Sequence, residues 1–356
     1  MFVFVGSYTR QQAAAGIGVY RLDQQTGALV ERERVEASGD AFFLTEHPHR
    51  SLLFAADGAE GSQGEGSGAV SAFAIDPATG HLTLLNRQPS HGTVPCYVSV
   101  EPGGRYVLVA NYGSGSVAAF PIEADGRLAA ATDVAQRTGR GPHPQRQEGP
   151  HPHYAAPDPT GERILVCDLG TDQVLGYHLD AATGRLRPDE APLLSAGAGA
   201  GPRHLAFDPT GRFAYVIDEL DSTLVACRYD PAQGALRPLH TVSTLPDSFA
   251  GENYPAHVLV APSGRFVYGS NRGHDSIAIF AVEAATGRFT PLGHEPARGR
   301  WPWHFAIDPT GTFLLVANQR SNGVATFRMD EEQGTLVATE HLVEVPAPTC
   351  ILFSRT

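Results

Sequence analysis

Residues 201–237 read GPRHLAFDPTGRFAYVIDELDSTLVACRYDPAQGALR, and this phrase recurs along the chain. Residues 302–336 read PWHFAIDPTGTFLLVANQRSNGVATFRMDEEQGTL, and further copies occupy 255–289, 152–186 and 95–128. Each copy holds short runs rich in Val, Ile, Phe and Tyr, separated by turn residues such as Asp-Pro-Thr-Gly, Thr-Gly or Gln-Gly. Runs of this kind predict β-strands joined by tight turns, and each complete copy contains four of them.

The two termini together supply one further copy. A degraded copy begins at Ala41 and carries a glycine-rich insert over 58–69, for which we expect a flexible surface loop. The chain begins midway through the phrase, and residues 348–354, PTCILFS, match its opening. This makes seven units, whose openings lie 46 to 57 residues apart. The sequence therefore predicts an all-β fold, a seven-bladed β-propeller with the first blade closed by both termini, and a single domain over 1–356.

Composition excludes several functional classes. The 356 residues carry a net charge of −12, which argues against nucleic acid and anionic membranes as partners. All 26 basic residues are Arg, so lysine chemistry such as Schiff-base formation is excluded. The four cysteines lack CxxC spacing and are interpreted as buried thiols of a reducing compartment. The apolar start MFVFV is too short for a signal peptide or a membrane span, and we expect a cytoplasmic protein.

A histidine-rich stretch, HPQRQEGPHPH, raises the question of a metal site. It contains His143, Arg146, Glu148, His151 and His153. Prolines between the histidines favour an extended backbone, and no carboxylate triad accompanies them. We therefore predict loop positions for His143 and His151, a position facing the channel for His153, and neither a metal nor an organic cofactor.

The repeat indicates which face of the propeller carries the function. Turns between the first and second strands, and between the third and fourth, repeat the same residues and lie on one face. The other face carries the links in which the units differ, including the long segments 134–154 and 243–255. We therefore predict a small-molecule site on that second face, over the channel.

Comparing equivalent positions between units singles out candidate site residues. Four residue types occur only once among the equivalent positions of the seven units, a set of positions called a column below: His153, Arg203, Glu219 and Arg272. A lone polar or charged group near an apolar channel is energetically costly unless it is paired or has a function. His204, His257 and His304 recur in one column, which favours a role in packing or hydrogen bonding. His204 and His304, together with Gln319 after a second strand, are also predicted to contribute to substrate binding.

Three segments resemble the lactonase family of seven-bladed propellers: EGPHPHY, GPRHLAFDPTGRFAYVIDELDST and SNRGHDSIAIF. The resemblance extends over essentially the whole chain. It implies an enzyme without metal or organic cofactor, with His153, Arg203, Glu219 and Arg272 as catalytic residues. It also implies hydrolysis of a sugar lactone, first of all 6-phosphogluconolactone, or alternatively the lactonising cycloisomerisation of a carboxymuconate. A non-catalytic propeller that binds other proteins is a third interpretation.

The residue types suit hydrolysis of an anionic lactone. One arginine can stabilise the oxyanion, and the other can bind the phosphate or carboxylate of the substrate. A Glu between two Arg is expected to stay ionised, since nearby positive charge lowers the pKa of a carboxyl group. His153 is then expected to exchange protons near neutral pH. No G-x-S-x-G motif supports a serine nucleophile.

Overall fold

The computed structural model describes residues 1–8, 16–35, 40–58 and 68–355. Within these ranges the strands form seven antiparallel sheets, one for each predicted unit. The all-β, seven-bladed prediction is therefore confirmed. The loop predicted over 58–69 falls mostly on 59–67, which lie outside the described residues.

The strands follow one another around the ring in chain order. Blade 1 contains β1 (Phe2–Ser7), β2 (Ile17–Leu22) and β3 (Leu29–Val35). Blade 2 contains β4 (Asp40–Glu46), β5 (Leu52–Gly58), β6 (Ala69–Ile75) and β7 (Leu82–Pro89). Blade 3 contains β8 (Pro95–Val100), β9 (Tyr106–Asn111), β10 (Ser116–Pro121) and β11 (Asp133–Gln136). Blade 4 contains β12 (Pro152–Pro157), β13 (Ile164–Asp168), β14 (Gln173–Leu179), β15 (Leu186–Pro188) and β16 (Leu194–Ser195).

The remaining blades complete the ring. Blade 5 contains β17 (Pro202–Phe207), β18 (Phe213–Asp218), β19 (Thr223–Asp230) and β20 (Ala235–Ser243). Blade 6 contains β21 (Tyr254–Val260), β22 (Phe266–Arg272), β23 (Ser276–Val282) and β24 (Phe289–Pro296). Blade 7 contains β25 (Pro302–Ile307), β26 (Phe313–Asn318), β27 (Gly323–Met329) and β28 (Leu336–Glu344). The last strand, β29 (Pro348–Phe353), returns to blade 1.

Pairing between the two terminal strands closes the ring. β29 runs antiparallel to β1, with Val3 opposite Phe353 and Val5 opposite Ile351. These four side chains belong to a buried apolar cluster that also contains Leu315 of blade 7. The closing strand therefore supplies one wall of the interface between blades 7 and 1, as the split repeat predicted.

The Asp-Pro-Thr-Gly turns owe their repetition to local chemistry. In blade 5, Oδ1 of Asp208 accepts a 2.7 Å hydrogen bond from the backbone N–H of Phe213, and Gly211 has a φ of +69° that suits glycine. The same contact recurs in blade 7 between Asp308 and Phe313, also at 2.7 Å. These turns lie on the face away from the variable loops.

One blade departs from the four-strand pattern. In blade 4 the outer strand is divided into β15 and β16, which pair with the two ends of β14. Pro188 and Pro192 bracket the interruption, and proline cannot donate a hydrogen bond to a neighbouring strand. Within the described residues, helix is limited to one 3₁₀ turn at Gln319–Ser321, and no helix is long and apolar enough to cross a membrane.

Buried asparagines at the ends of second strands fix the loops that link one blade to the next. The Nδ2 group of Asn271 donates to the backbone oxygen of Thr244 at 2.7 Å, and that of Asn318 donates to Ala297 at 2.8 Å. Asn111 makes the equivalent bond to Ser90 at 3.0 Å. These three bonds attach the links that precede blades 3, 6 and 7 to the variable face, where the candidate site lies.

Candidate active site

Glu219, Arg203 and Arg272 meet on the variable face. Glu219 follows β18 directly, Arg203 is the second residue of β17, and Arg272 is the last residue of β22. Oε2 of Glu219 accepts a hydrogen bond from Nε of Arg203 at 2.8 Å and another from Nη2 of Arg272 at 2.6 Å. Three of the four residues predicted to be catalytic therefore form one buried, ion-paired cluster.

A third arginine, Arg146, reaches the same carboxylate from the long loop between β11 and β12. Its Nη2 group donates a hydrogen bond to Oε1 of Glu219. Neighbouring Gln147 anchors the loop, because its Nε2 group donates to the backbone oxygen of Leu169 at 2.8 Å and to Oδ1 of Asp172 at 2.6 Å. The sequence placed Arg146 in a histidine-rich loop, and nothing in its spacing indicated that the loop folds over Glu219.

The three guanidinium groups keep Glu219 ionised. Burial alone would raise the pKa of this carboxyl, but Arg272, Arg203 and Arg146 together lower it far below its usual range. The expectation of an ionised glutamate is therefore confirmed. A carboxylate with so low a pKa is a weak base, and it acts chiefly by orienting what lies beside it.

His153 lies one blade away from the cluster and is an uncharged imidazole. Burial, followed by the positive charge of Arg203, lowers the pKa of His153 well below 6.5. The expectation that it exchanges protons near neutral pH was therefore wrong, because burial beside the guanidinium of Arg203 disfavours an imidazolium. Its Nδ1 atom lies 3.6 Å from Sγ of Cys96, and burial raises the pKa of that thiol to about 12. A Cys–His nucleophile pair is thus not formed.

His204, His257 and His304 contact one another along the channel. The Nδ1 atoms of His204 and His257 lie 2.8 Å apart, and the rings of His257 and His304 stack with centroids 4.1 Å apart. Nδ1 of His304 accepts a 3.2 Å hydrogen bond from the backbone of Ile351 in the closing strand. Burial lowers the pKa of all three rings, that of His304 to about 3. Packing and hydrogen bonding therefore explain why histidine recurs at this position of the repeat.

Two connected cavities surround Glu219. An open cleft of about 960 Å³ lies at the mouth of the channel, and a smaller cavity of about 210 Å³ lies deeper. Both are lined by Tyr8, Arg146, Glu219, Arg272 and Trp303. The ion-paired cluster therefore lies where a ligand in the cleft reaches the channel.

The cleft is cationic although the chain is acidic. Its charged lining residues are Arg146, Arg272, Arg300 and Arg320 against Glu219 and Glu252. Four arginines facing two carboxylates in a concave site attract an anionic ligand.

Residues 2–353 match the family described as lactonase, 7-bladed beta-propeller. The chain belongs to this lactonase family. It is 38% identical to the 6-phosphogluconolactonase of Bacillus subtilis, in an alignment that covers 98% of this chain and 97% of the relative. It is 32% identical to the 6-phosphogluconolactonase of Formosa agariphila, over 83% of each chain. The solved structure of the periplasmic gluconolactonase of Pseudomonas aeruginosa superimposes with a TM-score of 0.92 at 33% identity, covering 99% of this chain and 98% of that one.

In this lactonase the predicted site residues differ in their access to the cavities. Glu219 and Arg272 line both cavities, His153 lines the deeper one, and Gln319 lines the cleft. Arg203, His204 and His304 line neither cavity and lie behind the surface. Arg203 has no exposed surface, and its Nη2 group has no hydrogen-bond partner among the described residues.

Several lining residues were missed by the column comparison. Tyr254, Arg300 and Trp301 lie in or beside interblade links, and Arg320 lies in the link between β26 and β27 of blade 7. A run of Arg-Trp-Pro-Trp before the last complete copy of the repeat was the available signal. Among the described residues, no group of three or more His, Cys, Asp or Glu side chains is arranged to hold a metal ion.

Proposed function

We propose that this lactonase hydrolyses an anionic sugar lactone, with 6-phosphogluconolactone as substrate and 6-phosphogluconate as product. The observation that carries the proposal is the carboxylate of Glu219, held by three arginines at the base of a cleft lined by further arginines. Two relatives named 6-phosphogluconolactonase, at 38% and 32% identity, support the same substrate. A cytoplasmic location stays a prediction, since the Pseudomonas aeruginosa relative is described as periplasmic.

The reaction adds water across the ring ester. Water oxygen bonds to the lactone carbonyl carbon, the bond from that carbon to the ring oxygen breaks, and the ring oxygen takes a proton to become a hydroxyl. The new carboxylic acid ionises and releases the other proton. Negative charge collects on the carbonyl oxygen in the transition state, and Arg272 and Arg146 line the cleft where that oxygen would lie.

Positioning and electrostatics supply most of the catalysis in this proposal. Glu219 stays ionised and can orient the attacking water through a hydrogen bond, as Arg272 orients the carbonyl. His153 is neutral and faces the deeper cavity, so its imidazole can accept a hydrogen bond from the same water. A weak base is compatible with this substrate, because the lactone also hydrolyses spontaneously.

Gluconolactone is the second candidate substrate. The Pseudomonas aeruginosa relative named gluconolactonase matches this chain over nearly its full length, so an uncharged lactone is an alternative for the same site. The two substrates differ only by the phosphate, and a direct comparison separates them.

The deciding experiment is a pH-stat assay with each freshly prepared lactone, from which the spontaneous rate is subtracted. We expect enzyme-dependent acid release from both lactones, with a higher kcat/KM for 6-phosphogluconolactone. The Arg272→Ala variant is the matched control, since it should lose this activity while staying folded by circular dichroism. Acid release that never exceeds the spontaneous rate would overturn the proposal in favour of a non-catalytic binding protein.

A further inference from the structure

Arg300 and Arg320 are held side by side at the mouth of the cleft by their backbones. The N–H of Arg320 donates to the backbone oxygen of Arg300 at 3.2 Å, and the N–H of Arg300 donates to Oγ of Ser321 at 2.9 Å. One segment precedes β25 and the other follows β26, so both are attached to the same blade. Both side chains line the cleft. The two arginines thus project from a backbone whose geometry is fixed.

Trp301, which directly follows Arg300, has a left-handed backbone conformation. Its φ is +64°, in the left-handed region that an aromatic residue rarely adopts. The conformation is maintained by a 2.7 Å hydrogen bond from its N–H to Oδ1 of Asp275 and by a 3.1 Å bond from the N–H of Gln319 to its carbonyl oxygen. The same left-handed conformation precedes the opening proline of other blades, at Val94 and Ala347, so it belongs to the repeat and places Arg300 and Trp301 at a defined point of the cleft.

Two arginines with different surroundings lie near the Trp301 ring. The guanidinium carbon of Arg320 lies 3.4 Å from the ring centroid, and that of Arg272 lies 5.6 Å from the same centroid. The two guanidinium carbons therefore lie no more than about 9 Å apart, a distance that a single ligand contacting both groups can span. A ligand whose reacting carbon lies at Arg272 can place its far end at Arg320.

Within the described part of the chain, the two outer arginines differ from the inner ones in having no ion-paired carboxylate. Arg146 and Arg272 are both paired with Glu219. Among the residues that the structure describes, no carboxylate forms an ion pair with Arg300 or Arg320. Glu252, carried by the preceding interblade link, is the other carboxylate that lines the cleft. The available positive charge of the cleft is therefore concentrated at its outer edge.

We propose that Arg300 and Arg320 bind the phosphate of the substrate and determine the preference for a phosphorylated over an uncharged lactone. The proposal rests on the proposed function and identifies its specificity-determining residues. From the sequence, the phosphate was expected to bind Arg203 or Arg272, but Arg203 lines neither cavity and Arg272 lies beside Glu219, where the lactone carbonyl is placed. Arginine suits the role because its planar guanidinium can donate two parallel hydrogen bonds to a phosphate.

Substrate selectivity provides the first test. We expect Arg300→Gln and Arg320→Gln each to lower the ratio of kcat/KM for 6-phosphogluconolactone to that for gluconolactone by about 10- to 100-fold, since hydrogen bonds between charged groups are the strong ones. Most of the change should be in KM for the phosphorylated substrate. Arg185→Gln is the matched control, because it removes an exposed arginine from a hairpin on the opposite face and should leave both rates unchanged. An unchanged ratio in the double variant would overturn the proposal.

Tryptophan fluorescence provides a test that does not require turnover. The sequence contains two tryptophans, Trp301 and Trp303, and both line the cleft. Titration of the wild type with 6-phosphogluconate should change the emission at concentrations at least about tenfold lower than titration with gluconate, and inorganic phosphate should compete. In the Arg300→Gln/Arg320→Gln double variant the two ligands should bind equally.

The two tests separate failure of the subsite from failure of the enzyme assignment. A wild type that turns over neither lactone but prefers 6-phosphogluconate in the titration would refute the proposed function and support the anion site. A wild type that hydrolyses lactones, with a double variant that keeps the preference for the phosphorylated ligand, would refute the anion site alone.

Discussion

Nη2 of Arg272 donates a 2.6 Å hydrogen bond to Oε2 of Glu219, and so joins blade 6 to blade 5 at the junction of the cleft and the deeper cavity. The same guanidinium packs over the ring of Trp303 in blade 7, with its carbon 4.6 Å from the ring centroid. Three blades therefore fix its position. A donor held in place before the substrate arrives needs little reorganisation to stabilise developing negative charge.

We expect Arg272→Ala to lower kcat by about 10²- to 10³-fold, as removal of one oxyanion donor does elsewhere. Arg203→Ala should also lower kcat, because it releases one side of Glu219. It should in addition lower the free energy of unfolding by about 3–5 kcal/mol, since it removes a fully buried side chain and breaks its ion pair with Glu219. Initial rates and chemical denaturation measure the two effects. Lactonase activity close to wild type in both variants would show that this cluster is not the active site.

The pH dependence of turnover tests the roles of His153 and Glu219. Their pKa values both lie well below neutrality, so neither group changes its charge between about pH 6 and 8. We expect kcat/KM, corrected for spontaneous hydrolysis, to be nearly constant across this interval. His153→Asn should lower turnover without changing the shape of the profile. An inflection near pH 6.5 that this variant abolishes would make His153 a titrating catalytic group after all.

His257→Asn should act mainly on stability, and its effect should depend on pH. Burial, then His304 and Arg203, lower the pKa of native His257 well below 6.5, whereas in the unfolded chain it is near 6.5. Below about pH 6.5 the unfolded wild type therefore binds a proton that the native state does not, and the stability contributed by the neutral ring is lost as pH falls. The His257→Asn variant has no imidazole at this position, so its free energy of unfolding does not fall for this reason.

The destabilisation caused by His257→Asn should therefore be about 1–3 kcal/mol at pH 7.5 and should shrink by about 1.4 kcal/mol per pH unit below pH 6. Denaturant unfolding of both proteins between pH 5 and 7.5 measures the difference. Taking the difference cancels the titration of the buried carboxyl groups. A pH-independent difference, or a larger effect on kcat than on stability, would contradict the structural role.

Removal of residues 347–356 should abolish cooperative unfolding or cause aggregation, because β1 would lose its partner and an interblade face would be exposed. Ile351→Ala is a milder test of the same interface. Ile351 is 2% exposed, and its truncation should lower the free energy of unfolding by about 2–4 kcal/mol without loss of the fold. Thermal melts followed by circular dichroism distinguish the two variants. A truncated chain with the melting temperature of the full one would refute closure by the termini.

The repeats in the sequence were sufficient to predict the ring, because six of the seven blades form from continuous segments of about 50 residues and the first is assembled from two recognisable parts of the same repeat. The same alignment singled out Arg203, Glu219 and Arg272, since each is a charged residue type that occurs once among the equivalent positions of the seven units. The alignment could not show which of these residues a ligand in the cleft can reach. Arg203 and Arg272 look equivalent in sequence, yet one is sealed behind Glu219 and the other lines both cavities.

By itself, the sequence determined the all-β fold, the seven units, the closure by both termini and the face that carries the site. Only the tertiary structure decided that Arg146 folds over Glu219, that burial lowers the pKa of His153, and that Arg300 and Arg320 form no ion pair with any carboxylate of residues 1–8, 16–35, 40–58 and 68–355. The physical reason is that turns and strand pairing depend on neighbours along the chain, whereas ion pairing and desolvation depend on residues that interblade loops bring together across the ring.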